Sequence, residues 1–343
     1  MSVNVKSFVP FLLIGLLSAI SCKKDNSTQP AEKFNADVYA VGLTSSSSRP
    51  SIAACWKNGV PVNLATDTTI SSGATSIAVN GNDIYVAGYI GFADFISDTS
   101  NHKIAAMWKN GIITKLTDGT TDASANAVAL NGSDIYLAGE YHNNAIYWKN
   151  GVAVKLVDRF LTSVASGIVI NGTDVYVCGT SRDSNGASTA TYWKNGVPTY
   201  FTGYYTSAAN GIIAKDNDIY IVGFGNPTPV ATAAVYWKND KAVILSDEST
   251  GGGYATSIVV NGSDVYVAGS AFPNNAKVTG YWKNGIMTIL NNAIFTDAIA
   301  VNGTNVYVGG TGKLGNATYW KNGDLIQLTN NYSTVTGVVI VSN

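Results

Sequence analysis

Two histidines, His102 and His142, are the chain's only imidazoles, and imidazole is the side chain best suited to move protons or hold a metal near neutral pH. Each lies in a polar stretch beside a carboxylate, Asp98 or Glu140. A zinc-type centre needs three or four converging ligands, and a nucleophile needs an oriented base. Two histidines among scattered carboxylates supply neither, so His102 and His142 stand only as weak metal-ligand candidates and otherwise read as solvated loop residues. Glycosidic chemistry asks for less, two carboxyl groups flanking one bond, and Asp297, Glu140 and Asp183 are the carboxylates that could serve it. Gly251-Gly252-Gly253 lacks the Lys-Ser/Thr of a phosphate loop. No cofactor is expected.

The elements that must position these residues are set by a repeat. Trp56, Trp108, Trp148, Trp193, Trp237, Trp282 and Trp320 span six intervals averaging 44 residues, and all but Trp237 are followed by Lys-Asn-Gly. Each is preceded by a second signature, DIYVAG at 83–88, DIYLAG at 134–139, DVYVCG at 174–179 and their variants. One unit reads as four short strands: TSIAVNG, DIYVAG, AAMWKNG and ITKLTD. Val, Ile and Tyr favour strands, and Asn-Gly supplies the positive φ of tight hairpins. The middle strands are apolar on both faces, as expected of a sheet covered on both sides. A period of this length with four strands per unit predicts an all-β fold, a seven-bladed β-propeller over residues 37–343. The chain enters at a second strand and ends on a lone first strand, TGVVIVS, so the C-terminal strand should complete the N-terminal blade and close the ring.

This strand order separates two faces. Turns between first and second strands and between third and fourth are short and nearly identical, whereas the remaining connections vary, and recognition belongs on variable loops. Aligning the starts of the first strands gives Thr75, Asn126, Ser166, Asn210, Thr256, Asp297 and Thr336 around a channel mouth. Loop aromatics accompany them: Phe160, Tyr204, Tyr205, Tyr254, Phe295 and Tyr332. Aromatic faces beside amides and hydroxyls suit a glycan or an extended peptide. Asn126, Asn210, Asp297, Tyr204, Tyr254 and Phe160 are therefore the ligand-binding candidates, with binding favoured over catalysis. The repeated Asp and Lys read as cross-strand pairs, the tryptophans as packing between blades, and the Asn-Gly-Ser/Thr sequons as turn chemistry.

The pattern A-x-x-[IV]-x-[VIL]-N-G-x-D-[IV]-Y-V-x-G followed by A-x-x-W-K-N-G resembles the HAF-type extracellular repeat and, more loosely, kelch blades. The resemblance covers residues 37–343 and implies an exported propeller without an assigned chemistry. The Asp boxes of sialidases are missing from the sequence.

Residues 1–21 read as a signal peptide, with Lys6 ahead of an apolar run from Phe8 to Ile20 that is short for a membrane span. Its end, Leu17-Ser18-Ala19-Ile20-Ser21-Cys22, resembles a bacterial lipobox, which makes Cys22 the expected acylation site and residues 22–36 a polar tether. The expected location is the outer membrane or cell surface, held to the bilayer through acylated Cys22, with the propeller a monomer and an alternative role as a structural envelope component. A formal charge of −1, from 21 basic and 22 acidic residues, argues against nucleic acid as a partner. Cys55 and Cys178 fall three blades apart, too far for a disulfide.

If Cys22 carries the anchor, mass spectrometry of the N-terminal peptide should find acyl chains on it, and Cys22→Ser should move the protein from the detergent phase to the aqueous phase. An unmodified Cys22 would remove the anchor.

Overall fold

The computed structural model describes residues 36–46, 49–64, 67–91, 102–229, 232–246 and 251–342. Cys22, the leader, most of the tether and Asp98 lie outside them. Strand is the main element of the described residues, arranged in five four-stranded antiparallel sheets and one of seven strands. Blade 2 is typical: Ser72–Asn80, Asp83–Ile90, Ile104–Lys109 and Ile112–Lys115 follow one another from the inside outward.

The seven-stranded sheet is blades 7 and 1 joined by one continuous strand, Asp324–Ser342. Its first part is the outer strand of blade 7, with Leu325 opposite Trp320. Its second part is the innermost strand of blade 1, running from Ser333 opposite Thr44 to Ser342 opposite Ala36. The expected closure is therefore present. It differs in one respect: other blades break between outer strand and next inner strand, as at 116–122, whereas here the chain stays extended through Thr329-Asn330-Asn331-Tyr332. Each innermost strand packs on the innermost strands of both neighbours, so the seven blades form a closed cycle.

The core lies between blades. Each tryptophan packs against the preceding blade, for instance Trp193 against Ala138 and Tyr136, Trp282 against Val222 and Ala234, and Trp56 against Ala317. All seven are at most 3% exposed, which assigns them to packing. Cys55 and Cys178 are buried free thiols, and burial pushes the Cys55 thiol up to about 12.

Every innermost strand carries a β-bulge at the same place. The extra residue is Thr75, Asn126, Ser166, Asn210, Thr256, Asp297 and, in blade 1, Thr336. A bulge bends its strand and turns one side chain out of register. It also explains the glycine that ends the second signature. At Gly139 a Cβ would stand 1.8 Å from the Ser124 carbonyl oxygen, and at Gly223 1.9 Å from that of Ala208. In both cases the carbonyl belongs to the residue two positions before the bulge, so only glycine accepts the close approach.

Deleting residues 336–343 takes the inner strand from blade 1 and exposes the backbone of Ala36–Val41 as a sheet edge. Val338, Val339, Ile340 and Val341 are half-buried, which places their loss at roughly half the 1.5–3 kcal/mol of a fully buried aliphatic each. At about 2 °C per kcal/mol for a chain of this size, thermal melting of the truncated chain should drop by roughly 6 to 12 °C. Unchanged melting would mean the ring does not depend on this closure.

Candidate functional site

The two faces differ in what their polar groups do. On the face of the Lys-Asn-Gly turns, the asparagine takes φ near 50° and the glycine φ near 80°, the geometry of a type I′ hairpin. In blade 2, Asn110 Oδ1 accepts the Ile84 amide at 2.8 Å while its Nδ2 donates to Asp83 Oδ1 at 2.7 Å. Lys109 Nζ sits 2.9 Å from the other oxygen of Asp83 and lies over the Tyr85 ring. Hydrogen bonds from Lys109 and then Asn110 hold the Asp83 carboxyl below its ordinary value. The same cluster recurs at Asp37, Asp134, Asp174, Asp218 and Asp264; in blade 7 Asn305 stands in for the aspartate. The Asn-Gly turns are spent likewise: Asn131 Nδ2 donates to the Gly172 carbonyl and Asn261 Nδ2 to that of Gly303, each on the next blade. The sequon asparagines thus serve turn and ring.

The candidates taken for a channel mouth are the bulge residues. They lie three or four residues inside their strands rather than at the strand starts, because small residues such as Ala123-Ser124-Ala125 extend the ladder past the apolar run. Asn126 Nδ2 donates to the Ala165 carbonyl at 2.9 Å and Asn210 Nδ2 to that of Ala255 at 2.8 Å. Thr75, Thr256 and Thr336 bond Ala125, Thr296 and Ala74 in the same way. Each acceptor precedes the bulge of the next blade. The amide nitrogens of Asn126 and Asn210 are therefore committed to the ring.

Asp297 is the acidic member of this set. A carboxylate has no proton to donate to the next blade; instead Thr334 Oγ1 donates to Asp297 Oδ2 at 3.2 Å. Burial pushes the Asp297 carboxyl up to about 6, opposed by the Thr334 hydrogen bond and the charge of Lys277. Lys277 Nζ stands 3.9 Å from the centre of the exposed Phe295 ring, and burial lowers its own pKa.

The aromatic candidates fall into separate groups. Tyr254 meets Phe224 and Phe272 edge-on at 5.2 and 5.8 Å. Tyr204 turns its edge to Trp237 at 6.1 Å and covers Gly225, where a Cβ would clash with its ring. Phe160 meets Tyr200 edge-on at 5.2 Å, and the Arg159 guanidinium lies over both rings, 5.1 and 4.4 Å from their centres. This last group has a built support. Asp158 accepts from Ser181 Oγ at 2.5 Å, Tyr200 OH at 3.1 Å and the Phe160 amide at 3.0 Å, fixing the connection between blades 3 and 4. Arg159, Phe160, Leu161, Asp183 and Ser184 line an open cleft of about 630 Å³. Sequence reasoning named Phe160 and Asp183 but not Arg159 or Tyr200. The signal available was the single arginine among the connections between blades, in Asp158-Arg159-Phe160-Leu161.

His102 Nδ1 lies 3.5 Å from Asp122 Oδ1, and the His142 amide donates to the Asp122 carbonyl at 3.0 Å, within a turn where His142 has φ 53°. The neighbour of His102 within the described residues is thus Asp122. Among the described residues no three His, Cys, Asp or Glu side chains could hold a metal ion. Asp183 accepts two amides of its own loop, and Glu140, Asp183 and Asp297 stand on blades 3, 4 and 7.

The chain matches no protein-family model and no curated protein sequence. Among solved structures it is similar to a Trypanosoma rangeli sialidase in complex with sialic acid, at 8% identity and a TM-score of 0.40, over 89% of this chain and 52% of that protein, about half of its length.

The bulge belt gives Asp297 a pH signature. Its folded value lies above the ordinary 3.8, so its contribution to stability is complete below about pH 4 and is lost as pH rises through 6. Asp297→Asn places an amide where Asn126 and Asn210 already donate. Melting of variant and parent should coincide at pH 4 and separate above pH 7 in favour of the variant, by at most about 3 kcal/mol. Equal curves across this range would refute the assignment.

Proposed function

We propose that the chain is a lipid-anchored, extracytoplasmic binding propeller, monomeric and held to the outer membrane or cell surface through Cys22, whose variable face takes a glycan. A peptide or protein segment is the competing ligand. The observation that carries this reading is the cleft beside Arg159 and Phe160. It joins the Phe160 ring, the exposed Arg159 guanidinium that lies over it and over Tyr200, and an exposed hydroxyl at Ser184. Asp158 ties the Phe160 backbone to Ser181 and Tyr200 through three hydrogen bonds, so this connection needs little ordering on binding. The Lys-Asn-Gly face supports the reading by contrast, since its charges already satisfy one another. The HAF-type resemblance fits export and leaves the ligand open.

Catalysis is the second reading, and Asp297 favours it: this half-buried carboxyl, bonded by Thr334 and near Lys277, is pushed up to about 6 by burial, which suits a proton donor near neutral pH.

An array of neutral and acidic oligosaccharides, with extended peptides as the second arm, tests the first reading. Arg159→Ala with Phe160→Ala should weaken glycan binding by about tenfold or more, the scale of one charged hydrogen bond plus one stacking surface. Lys57→Ala and Lys149→Ala should leave it unchanged. Binding lost through the lysine variants instead would move the site to the opposite face, and binding to peptides alone would replace the ligand class.

A further inference from the structure

Immediately after each Lys-Asn-Gly turn the outer strand begins, and in five of the seven blades it begins with an exposed aliphatic residue. Val60, Ile112, Val152, Val197 and Ile286 are 65, 72, 69, 66 and 75% exposed. Each directly opposes the turn lysine in the ladder, as Ile112 opposes Lys109 and Val152 opposes Lys149. They therefore share one level at the rim of one face. Blade 5 has Lys241 there and blade 7 has Asp324. A single exposed aliphatic needs no explanation, but five at one level form a ring of apolar points.

The chain itself indicates what this ring faces. Asp37 is bonded by Lys57 and Asn58 of the blade-1 turn, so the polypeptide before Ala36 leaves the propeller from the Lys-Asn-Gly face. Only 13 residues, 23–35, separate it from Cys22, a coil reach of roughly 20 Å. Six of the seven turn lysines are matched by aspartates at 2.7–2.9 Å; in blade 7 Asn305 stands at the aspartate position and Asp324 opposes Lys321 in the ladder. The face is thus close to neutral, which does not oppose approach to an anionic bilayer.

We propose that the Lys-Asn-Gly face rests on the lipid surface, with Val60, Ile112, Val152, Val197 and Ile286 entering the headgroup boundary and the Arg159–Phe160 face directed away from the membrane. The proposal rests on Cys22 being the anchor point. Acyl chains on Cys22 hold one end of a flexible tether at the bilayer and leave the orientation of the propeller free; the aliphatic ring supplies a second contact that sets which face meets the lipid. It also leaves the variable loops open to the medium.

The test uses the full chain coupled chemically through Cys22 to a maleimide-bearing phospholipid in phosphatidylethanolamine–phosphatidylglycerol vesicles. Cys55 and Cys178 are buried and do not compete. Amide hydrogen exchange at 57–60, 109–112, 149–152, 194–197 and 283–286 should slow several-fold relative to the chain capped with N-ethylmaleimide in solution, while exchange at 158–161 and 183–187 is unchanged. The variant Ile112→Ser, Val152→Ser, Val197→Ser, Ile286→Ser, altered only at exposed positions and checked for native melting, should stay tethered and lose this protection. Unprotected turns, protection of the variable loops instead, or protection that survives in the serine variant would overturn the proposal. So would protection that grows with concentration in the capped chain, which would make the ring a contact between copies. Because the lipid is attached by coupling, absence of natural acylation would be seen only in the mass of the Cys22 peptide and would count against the anchor, not against the lipid affinity of the face.

Discussion

The bulge on each innermost strand is the constraint from which most of this propeller follows. It turns one polar side chain toward the neighbouring blade, where in five blades a threonine hydroxyl or asparagine amide reaches the carbonyl just before the next bulge. The same distortion pushes another carbonyl into the space where the second strand would carry a Cβ, and the signature glycine is the consequence. Glycine, bulge and circumferential hydrogen bond are one device. A second belt runs round the opposite face through Asn80, Asn131, Asn171 and Asn261, each bonded to a turn carbonyl of the next blade. Tryptophans fill the wedge between the belts. Serines at the inner-strand starts close the last gap: Ser72, Ser163, Ser207 and Ser333 accept the amides of Ala53, Ala145, Ala190 and Ala317 on the preceding blade.

Blade number, strand order and ring closure were legible because they depend on patterns written seven times. Asn-Gly, the apolar runs and the tryptophan spacing each carry a local physical meaning. The role of Asn126 and Asn210 was not legible. Small polar residues at the apparent start of an apolar strand look the same whether they face solvent or a neighbouring carbonyl, and the bulge that decides between these depends on backbone register in three dimensions. Strand lengths were underestimated for a related reason. Thr180-Ser181-Arg182 pairs with Ser188-Thr189-Ala190 although nothing in its polarity distinguishes it from a loop. The Arg159 group was half legible: Phe160 stood out by size, while its partners Tyr200 and Ser181 lie about 40 and 20 residues away in sequence and join it only in the folded chain, Tyr200 by ring contact and both through Asp158.

Departures from the repeat are informative because the repeat states what structure requires. At six bulge positions the residue is neutral and small; at the seventh, Asp297 puts a half-buried carboxyl beside Lys277 and Phe295, where burial disfavours its charged form. Residues that oppose the stability of their own scaffold concentrate at functional sites. Arg159 is a departure of the same kind, a guanidinium held over two aromatic rings and the one arginine in the connections between blades.

These departures also show how a nearly symmetric ring acquires direction. On the Lys-Asn-Gly face, aspartate, lysine, asparagine and tyrosine satisfy one another blade after blade, and a surface whose polar groups are already partnered has little left to offer a hydrophilic ligand. What it still presents is its aliphatic rim, which suits an apolar or interfacial neighbour. On the other face the connections are freed from the ladder, their polar groups are only partly used, and rings and charges differ from one blade to the next. Specific recognition needs such inequality, since identical sites repeated around a ring cannot fix the orientation of an asymmetric ligand. The belts that make the blades equivalent on one side thereby leave the other side to carry the differences.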